Sequence, residues 1–140
     1  MADERILVVE DELAVAWGIE YGLKSEGFQV LLAENGQQAL DMALSHDPHL
    51  ILLGIRLSDI SGFDVCRKLR SEGSSIPIIM LTTRDEELDI VLGLKLGADD
   101  YVVKPNTVRE LVSHIREKLR RAYGEFATMS DDDRIRFGYD

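Results

Sequence analysis

Three groups of polar residues in this sequence could act on a phosphoryl group or a metal ion. Glu10 and Asp11 are adjacent carboxylates, which suit a hard divalent cation such as Mg²⁺ but are also common caps of a following helix. Thr82 could donate its hydroxyl to a bound anion, and Lys104 could neutralise phosphoryl charge or pair with the two carboxylates. Each residue taken alone has an ordinary structural explanation, so their order and spacing must carry the argument.

Each of these groups follows an apolar run that is typical of a buried strand. The predicted strands cover residues 6–9, 28–32, 50–53, 78–81 and 101–103. Helical periodicity predicts helices over residues 12–26, 62–70, 85–96 and 108–123, with a further helix between Asn35 and the break at His46. Asn35 is placed to cap the second helix with Gln38 in return, and Thr107 with Glu110 to cap the last. Four residues of the second helix are predicted to face inward: Ala39, Leu40, Ala43 and Leu44.

The alternation of strands and helices predicts the fold class. Continuous apolar strands are typical of parallel strands covered on both faces, and right-handed crossovers then give a doubly wound arrangement. We therefore expect an α/β fold with a five-strand parallel sheet and five helices, of the flavodoxin-like kind. The carboxyl ends of such strands meet at one edge of the sheet, which would gather the three polar groups there.

Composition narrows the class of protein further. The chain has 140 residues, a net charge of −10 and one cysteine, Cys66. The negative charge argues against direct binding of nucleic acid, since phosphate contacts need Lys and Arg. No apolar run approaches the length of a membrane span, and the first strand begins too early for a signal peptide. We expect a cytoplasmic protein in a reducing compartment, with no membrane contact.

The end of the chain has a different character. Residues 124–133 are polar and end in an acidic run, which predicts a linker. Residues 134–137 then alternate polar and apolar side chains like the start of a strand. We therefore expect the sequence to be a fragment of a longer protein, cut just inside a second domain.

Several motifs, taken together, resemble the receiver domains of two-component response regulators. They are ILVVEDE at 6–12, ILL at 51–53, DISGF at 59–63, IMLT at 79–82 and LGADDYVVKP at 96–105. Residues 97–101 and 135–138 are most similar to the OmpR/PhoB subfamily, in which a winged-helix DNA-binding domain follows. The resemblance implies a receiver domain at 1–123, an acidic linker at 124–133 and the start of a truncated DNA-binding domain at 134–140.

The resemblance also implies roles for individual residues. Glu10 and Asp11 would form the acidic pair that holds Mg²⁺, and the phosphoacceptor position is Gly54, which has no side chain to accept a phosphoryl group. The Mg²⁺ site would therefore be weak or lost, and the domain would need no other cofactor. The remaining implied residues are the phosphoryl-contact positions Thr82, Thr83 and Lys104, the switch residues Thr82 and Tyr101, and a candidate pocket cation, Arg56.

Departures from the family pattern cluster around the same site. They are Gly54, Arg56, Ser58, Thr83 and Asn106. Several changes at one site favour a natural, atypical receiver over a conventional regulator whose acceptor was mutated to Gly54. A small flavodoxin-like ligand-binding or enzyme domain is the alternative from another class, although no Gly-rich phosphate loop follows the first strand. We expect a regulatory domain of a transcriptional regulator rather than an enzyme, controlled without phosphorylation at position 54.

In the subfamily, the fourth helix, fifth strand and last helix form the face of a symmetric homodimer. A solvated charged surface is the simpler explanation for the same residues. A sensor histidine kinase is a further candidate partner, and DNA would be bound only through the missing domain. The residues of the candidate dimer face are Ile90, Lys95, Asp99, Asp100, Glu110, His114 and Arg121.

Overall fold

The structure, a computed structural model, describes residues 4–83, 94–104 and 107–124. These ranges contain, in chain order, β1 (Arg5–Val9), α1 (Leu13–Ser25), β2 (Gln29–Ala33), α2 (Gly36–Ser45), β3 (Leu50–Gly54), α3 (Gly62–Ser71), β4 (Ile78–Thr83), β5 (Asp100–Lys104) and α4 (Val108–Tyr123). The helix predicted over 85–96 lies outside the described residues except for its end, where Leu94 and Lys95 are helical. The last predicted helix is therefore α4.

The five strands form one parallel sheet in the order β2-β1-β3-β4-β5. The first strand lies inside this order, with β2 on one side and β3 on the other, so the chain winds outward from it in both directions. This is the doubly wound α/β fold that the sequence predicts.

Two apolar layers cover the two faces of the sheet, because successive strand residues point to opposite sides. On one face, strand residues such as Ile6 and Leu52 pack with Leu23 of α1 and Ile115 of α4. On the other face, Leu7, Ile51 and Met80 are among the strand residues that pack with α2 and α3. Because both faces are buried, the strands carry continuous apolar runs instead of alternating ones.

The start of α2 is capped nearly as the sequence predicts. The Asn35 side chain accepts the Gln38 N–H at 2.8 Å. The returning Gln38 side chain accepts the N–H of Glu34 at 2.6 Å, one residue before the predicted Asn35. These two hydrogen bonds therefore satisfy a backbone N–H group at the helix start and also hold the segment before the helix in place.

The prediction that Leu44 faces inward is wrong. Its side chain is 78% exposed, whereas Ala39 is fully buried. Five residues at 3.6 per turn place Leu44 about 140° around the helix from Ala39, which is too far to reach the sheet. In the part of the chain that the structure covers, no helix has the length and apolar character needed to cross a membrane.

Candidate functional site

The register of the sheet aligns the candidate residues in adjacent rows at its carboxyl edge. Val9 pairs with Leu53, which sets Glu10 beside Gly54 one residue later. Gly54 itself pairs with Leu81, the residue before Thr82. Thr83 pairs with Lys104 at the ends of β4 and β5. The candidate residues thus lie at one edge of the sheet, where the carboxyl ends of parallel strands meet.

The two adjacent carboxylates lie in different environments. Glu10 is only 3% exposed, whereas Asp11 is exposed to solvent. The Glu10 carboxylate accepts the Glu12 N–H at 3.2 Å, at the start of α1. Glu12 is the cap residue of that helix and makes no capping hydrogen bond with its own side chain. Glu10 therefore serves the helix start in the way that a capping residue does, which is one of the two roles that the sequence allows for the acidic pair.

Gly54, the last residue of β3, faces the Glu10 carboxylate. A Cβ atom built on Gly54 would lie 3.6 Å from Glu10 Oε1 and 3.5 Å from Leu57 Cδ2. It would also lie 3.0 Å from the Val9 carbonyl oxygen, a tight contact with β1. A side chain at this position would therefore point to the buried carboxylate, and glycine leaves that position without any functional group.

The other predicted pocket residues are described to different extents. Thr82 is fully buried in β4, and Arg56 is exposed in the segment after β3. Tyr101 is exposed on β5. The side chains of Thr83 and Lys104 lie outside the described part of the structure. The prediction that Lys104 pairs with Glu10 or Asp11 therefore remains a prediction.

The loop after β3 holds a carboxylate whose role the sequence did not reveal. Asp59 accepts the N–H groups of Gly36 and Gln37, each at 2.8 Å, at the start of α2. Burial opposes ionisation of the carboxyl group, but backbone hydrogen bonds from Gln37, Gly36, Ile60 and Asp59 itself outweigh this effect. The pKa of Asp59 is consequently lowered from its ordinary value. Asp59 is thus occupied as a helix cap 23 residues away in sequence.

The same loop continues into α3 through a close backbone contact. Ser61 and Asp64 form a capping box, with the Asp64 N–H donated to Ser61 Oγ at 3.1 Å. Gly62 donates its N–H to the Ile55 carbonyl at 2.7 Å. A Cβ at position 62 would lie 2.1 Å from the Gly54 carbonyl oxygen, so only glycine fits there. The start of α3 is therefore fixed against the end of β3.

The residues present do not fit the Mg²⁺ site that the resemblance implies. Within residues 4–83, 94–104 and 107–124, no cluster of three or more His, Cys, Asp or Glu side chains could hold a metal ion. Position 54 offers no side-chain oxygen, and Asp59 is committed to the N-terminus of α2. A hard cation needs about six oxygen ligands, and the protein side chains here supply at most the Glu10 and Asp11 carboxylates.

The residues predicted to form the candidate dimer face make contacts with two different parts of the fold. Asp100 Oδ2 lies 2.7 Å from His114 Nδ1 and 3.7 Å from Lys118 Nζ, which ties β5 to α4. Asp99 instead points towards α3, where it contacts Arg70 at 3.1 Å and accepts the Ile78 N–H at 2.8 Å. Arg121 contacts Glu117 at 3.7 Å. Lys95 and Glu110 are exposed, and Ile90 lies outside the described residues.

Comparison with known proteins identifies the family. Residues 6–116 match the sequence pattern of the response regulator receiver domain. A two-component response regulator from Clostridium difficile is 30% identical, with a TM-score of 0.80 over 86% of this chain and 98% of that one. The BeF3-activated N-terminal receiver domain of RstA from Klebsiella pneumoniae is 32% identical, with a TM-score of 0.78 over 84% of this chain and 99% of that one.

A third solved structure is similar to this chain over nearly its whole length. The CheY-like receiver domain protein from Methanospirillum hungatei is 30% identical, with a TM-score of 0.80 over 86% of this chain and 96% of that one. The family match covers most of the chain, and these structures share its five-strand parallel architecture. The chain therefore belongs to the response regulator receiver domain family of two-component systems.

Proposed function

We propose that this receiver domain controls a transcriptional output without being phosphorylated at position 54. The observation that carries the proposal is the place of Gly54 at the end of β3, where a Cβ would lie 3.6 Å from Glu10 Oε1. A carboxylate at that position would stand beside the buried acid, where a receiver needs its nucleophile. Glycine removes the nucleophile and leaves the surrounding fold in place.

The two other carboxylates nearby are poor substitutes for the missing acceptor. Asp59 accepts two backbone N–H groups at 2.8 Å and is held at the start of α2. To accept a phosphoryl group from a donor, the Asp59 carboxylate would have to give up both hydrogen bonds, which would leave the helix start uncapped. Asp11 is exposed rather than enclosed at the strand edge. Neither Asp59 nor Asp11 is therefore placed to replace the missing acceptor at position 54.

We further propose that protein cations stabilise the acidic pair in place of Mg²⁺. Glu10 and Asp11 are adjacent and would repel one another if nothing compensated their charge. Arg56 and Lys104 are the candidate cations, and Arg56 has the planar, bidentate geometry that suits carboxylates. This arrangement would make Mg²⁺ binding weak.

The proposed output is transcription, in the manner of the OmpR/PhoB subfamily. The support is the similarity of residues 97–101 and 135–138 to that subfamily, together with the acidic linker predicted at 124–133. Under this proposal, DNA is bound by a domain that begins near residue 134, and the receiver acts in the cytoplasm. A sensor histidine kinase is a candidate partner that would bind without transferring phosphate to position 54.

Self-association without phosphorylation forms part of this proposal. The candidate surface is the face of the predicted fourth helix, β5 and α4, which carries Lys95, Asp100, Glu110, His114 and Arg121. On this face Asp100 and Arg121 already contact charged side chains of their own chain. Exposed charge pairs contribute little individually, so an interface here would need apolar contacts as well.

A phosphorylation assay tests the central proposal. The chain and a Gly54→Asp variant would be treated with acetyl phosphate and Mg²⁺, and intact mass spectrometry would detect a phosphoryl adduct. We expect no adduct on the natural sequence and an acid-stable, base-labile adduct on Gly54→Asp. A stoichiometric adduct on Asp11 or Asp59 of the natural sequence would refute the proposal.

A further inference from the structure

The exposed face of α1 carries a line of three large apolar side chains. Leu13, Trp17 and Tyr21 are 45%, 57% and 79% exposed, respectively. Their spacing of four residues places them one above another on the same side of the helix. Single exposed apolar residues are ordinary on a protein surface, but a contiguous apolar patch marks an interaction site. These three residues are called the α1 stripe below.

A groove of about 920 Å³ between α1 and α4 adjoins the stripe. Tyr21 lines it from α1, and Val108 and Val112 line it from α4. The two helices approach closely here, because a Cβ at Gly22 would lie 2.6 Å from both methyl groups of Val108. The stripe therefore borders a groove whose apolar lining residues, Tyr21, Val108 and Val112, could receive a side chain such as leucine.

The two ends of this surface carry opposite charges. Asp11 and Glu12 are exposed just before the first residue of the stripe. Arg109 and Arg120 line the groove beside the other end, and neither forms a salt bridge with another described residue. Glu26 and Glu117 also line the groove, but they pair with Arg116 and Arg121. Arg109 and Arg120 therefore leave this end positive, although the chain as a whole has a net charge of −10.

We propose that the α1 stripe is a self-association surface that binds a second copy of this chain in an antiparallel, two-fold arrangement. Trp17 lies midway between Leu13 and Tyr21, so a two-fold axis at Trp17 would stack the tryptophans of both copies. Leu13 of each copy would then meet Tyr21 and the groove of the other, as an isologous interface requires. The same arrangement brings the acidic end of each stripe to Arg109 and Arg120 in the groove of the other copy.

The available area sets the strength that this dimer can reach. Covering an aromatic side chain removes about 150–250 Å² from water, so the exposed parts of Trp17 and Tyr21 supply only a few hundred Å² per copy. A stable interface buries roughly 800 Å² per partner, which requires the groove and its charged margins to take part. We therefore expect a dissociation constant in the micromolar range rather than an obligate dimer. This inference goes beyond the proposed function: the groove shares His114 of α4 with the candidate face of β5 and α4, but the α1 stripe does not belong to that face.

Trp17 is the single tryptophan of the chain, so its fluorescence reports directly on the proposed axis. The experiment uses the full 140-residue chain in sedimentation velocity and fluorescence series from about 1 to 200 μM, which spans the expected affinity. We expect a dimer at the higher concentrations, with a blue shift of the emission that follows the same concentration dependence. A chain that stays monomeric throughout the series would overturn the proposal.

Variants locate the interface. Tyr21→Glu should weaken association at least ten-fold, because it sets an acid against the apolar stripe of the other copy. Leu44→Glu is the matched control, since Leu44 is similarly exposed but lies on α2, and it should leave association unchanged. Circular dichroism would check that both variants fold. A dimer that survives Tyr21→Glu but is lost with Arg121→Glu would refute this inference and favour the face of β5 and α4.

A charge exchange tests the antiparallel orientation. Glu12→Arg and Arg109→Glu should each weaken the dimer, because each places like charges opposite one another. The double variant should recover most of the lost affinity, since it restores an opposite-charge pair. Additive losses in the double variant would contradict the antiparallel arrangement.

Discussion

The carboxylate of Asp59 accepts the backbone N–H of Gly36 at 2.8 Å, which joins the loop after β3 to the start of α2. The neighbouring N–H of Gln37 binds the same carboxylate, also at 2.8 Å. Asn35 caps this helix from within the same segment. The backbone N–H groups at the start of α2 therefore have two sources of acceptors: Asn35, which is local, and Asp59, which comes from a loop distant in sequence.

Replacing Asp59 should destabilise the domain measurably. Asp59→Ala would leave two helix N–H groups without their acceptor and remove a negative charge from the positive end of the helix. We expect the urea midpoint of unfolding to fall by about half a molar. Asp41→Ala, on the exposed side of the same helix, is the control and should change the midpoint much less. Equal effects of the two variants would show that the Asp59 contacts contribute nothing.

The stabilisation by Asp59 should depend on pH in a defined direction. Its pKa is lowered in the folded state, so its contribution is fully present above its ordinary value of 3.8 and is lost as the pH falls through the folded-state pKa. The difference in unfolding midpoint between the natural chain and Asp59→Ala should thus be constant from pH 7 to 5 and shrink below pH 3.8. Urea titrations of both proteins at each pH would measure it. A difference that grows on acidification would contradict this account.

Two glycines should respond in opposite ways to the addition of a methyl group. Gly62→Ala would drive its Cβ to 2.1 Å from the Gly54 carbonyl oxygen, so it should destabilise the domain by about 2–4 kcal/mol. Gly18→Ala, in α1, meets no atom within 4 Å and should stabilise it by about 0.5–1 kcal/mol. Thermal and urea unfolding would measure both. An unaffected Gly62→Ala variant would show that the start of α3 can move away from β3.

Asp99 should act in stability rather than in self-association. It accepts the Ile78 N–H at 2.8 Å and contacts Arg70 at 3.1 Å. Arg70 in turn donates to the Gly97 carbonyl at 2.9 Å. Asp99→Ala should cost about 1–3 kcal/mol because it leaves a part-buried N–H without its acceptor. Its sedimentation behaviour should match that of the natural chain at equal fraction folded, and a specific loss of dimer would return Asp99 to the candidate interface.

Metal affinity should rise when position 54 receives a carboxylate. Gly54→Asp adds oxygen ligands beside Glu10, so Mg²⁺ should bind at least ten-fold more tightly than to the natural chain. Isothermal titration calorimetry would measure both affinities. Arg56→Ala in the Gly54→Asp background should strengthen binding further if Arg56 competes with the metal for the acidic pair. Equal Mg²⁺ affinity in the natural chain and in Gly54→Asp would contradict the proposed arrangement of the pocket.

The elements of this fold were predictable because the signals that define them are local. The apolar runs locate all five strands, and Asn35 and Thr107 mark helix starts whose caps the structure contains. The sheet edge that gathers Glu10, Gly54 and Thr82 follows from parallel topology alone. Contacts that depend on tertiary approach were not predictable. Asp59 reaches Gly36 across 23 residues, and no local pattern identifies a cap that comes from another loop.

The unequal environments of Glu10 and Asp11 show the same limit. In sequence they are equivalent neighbours, yet Glu10 turns inward to the Glu12 N–H, whereas Asp11 is exposed. Leu44 was predicted to be buried but is exposed, because its helical phase and its position near the end of α2 place it outside the core. The burial of Glu10 depends on which neighbours reach its side chain, and its place in the sequence does not supply that information, whereas the helical phase of Leu44 relative to Ala39 was available from the sequence.

The position of β1 between β2 and β3 has a consequence for how the chain reaches its native state. β1 pairs with β2 and β3, and the hydrogen bond between Arg5 and His49 already spans 44 residues. Each parallel strand pair forms only after the chain segment between its two strands has closed into a loop. The chain loses conformational entropy in that closure before the strand contacts compensate for it. Refolding should consequently be slow compared with that of a helical bundle of equal length. During synthesis, β1 would keep one edge open until the chain has been made as far as β3, because only β2 can pair with it before then.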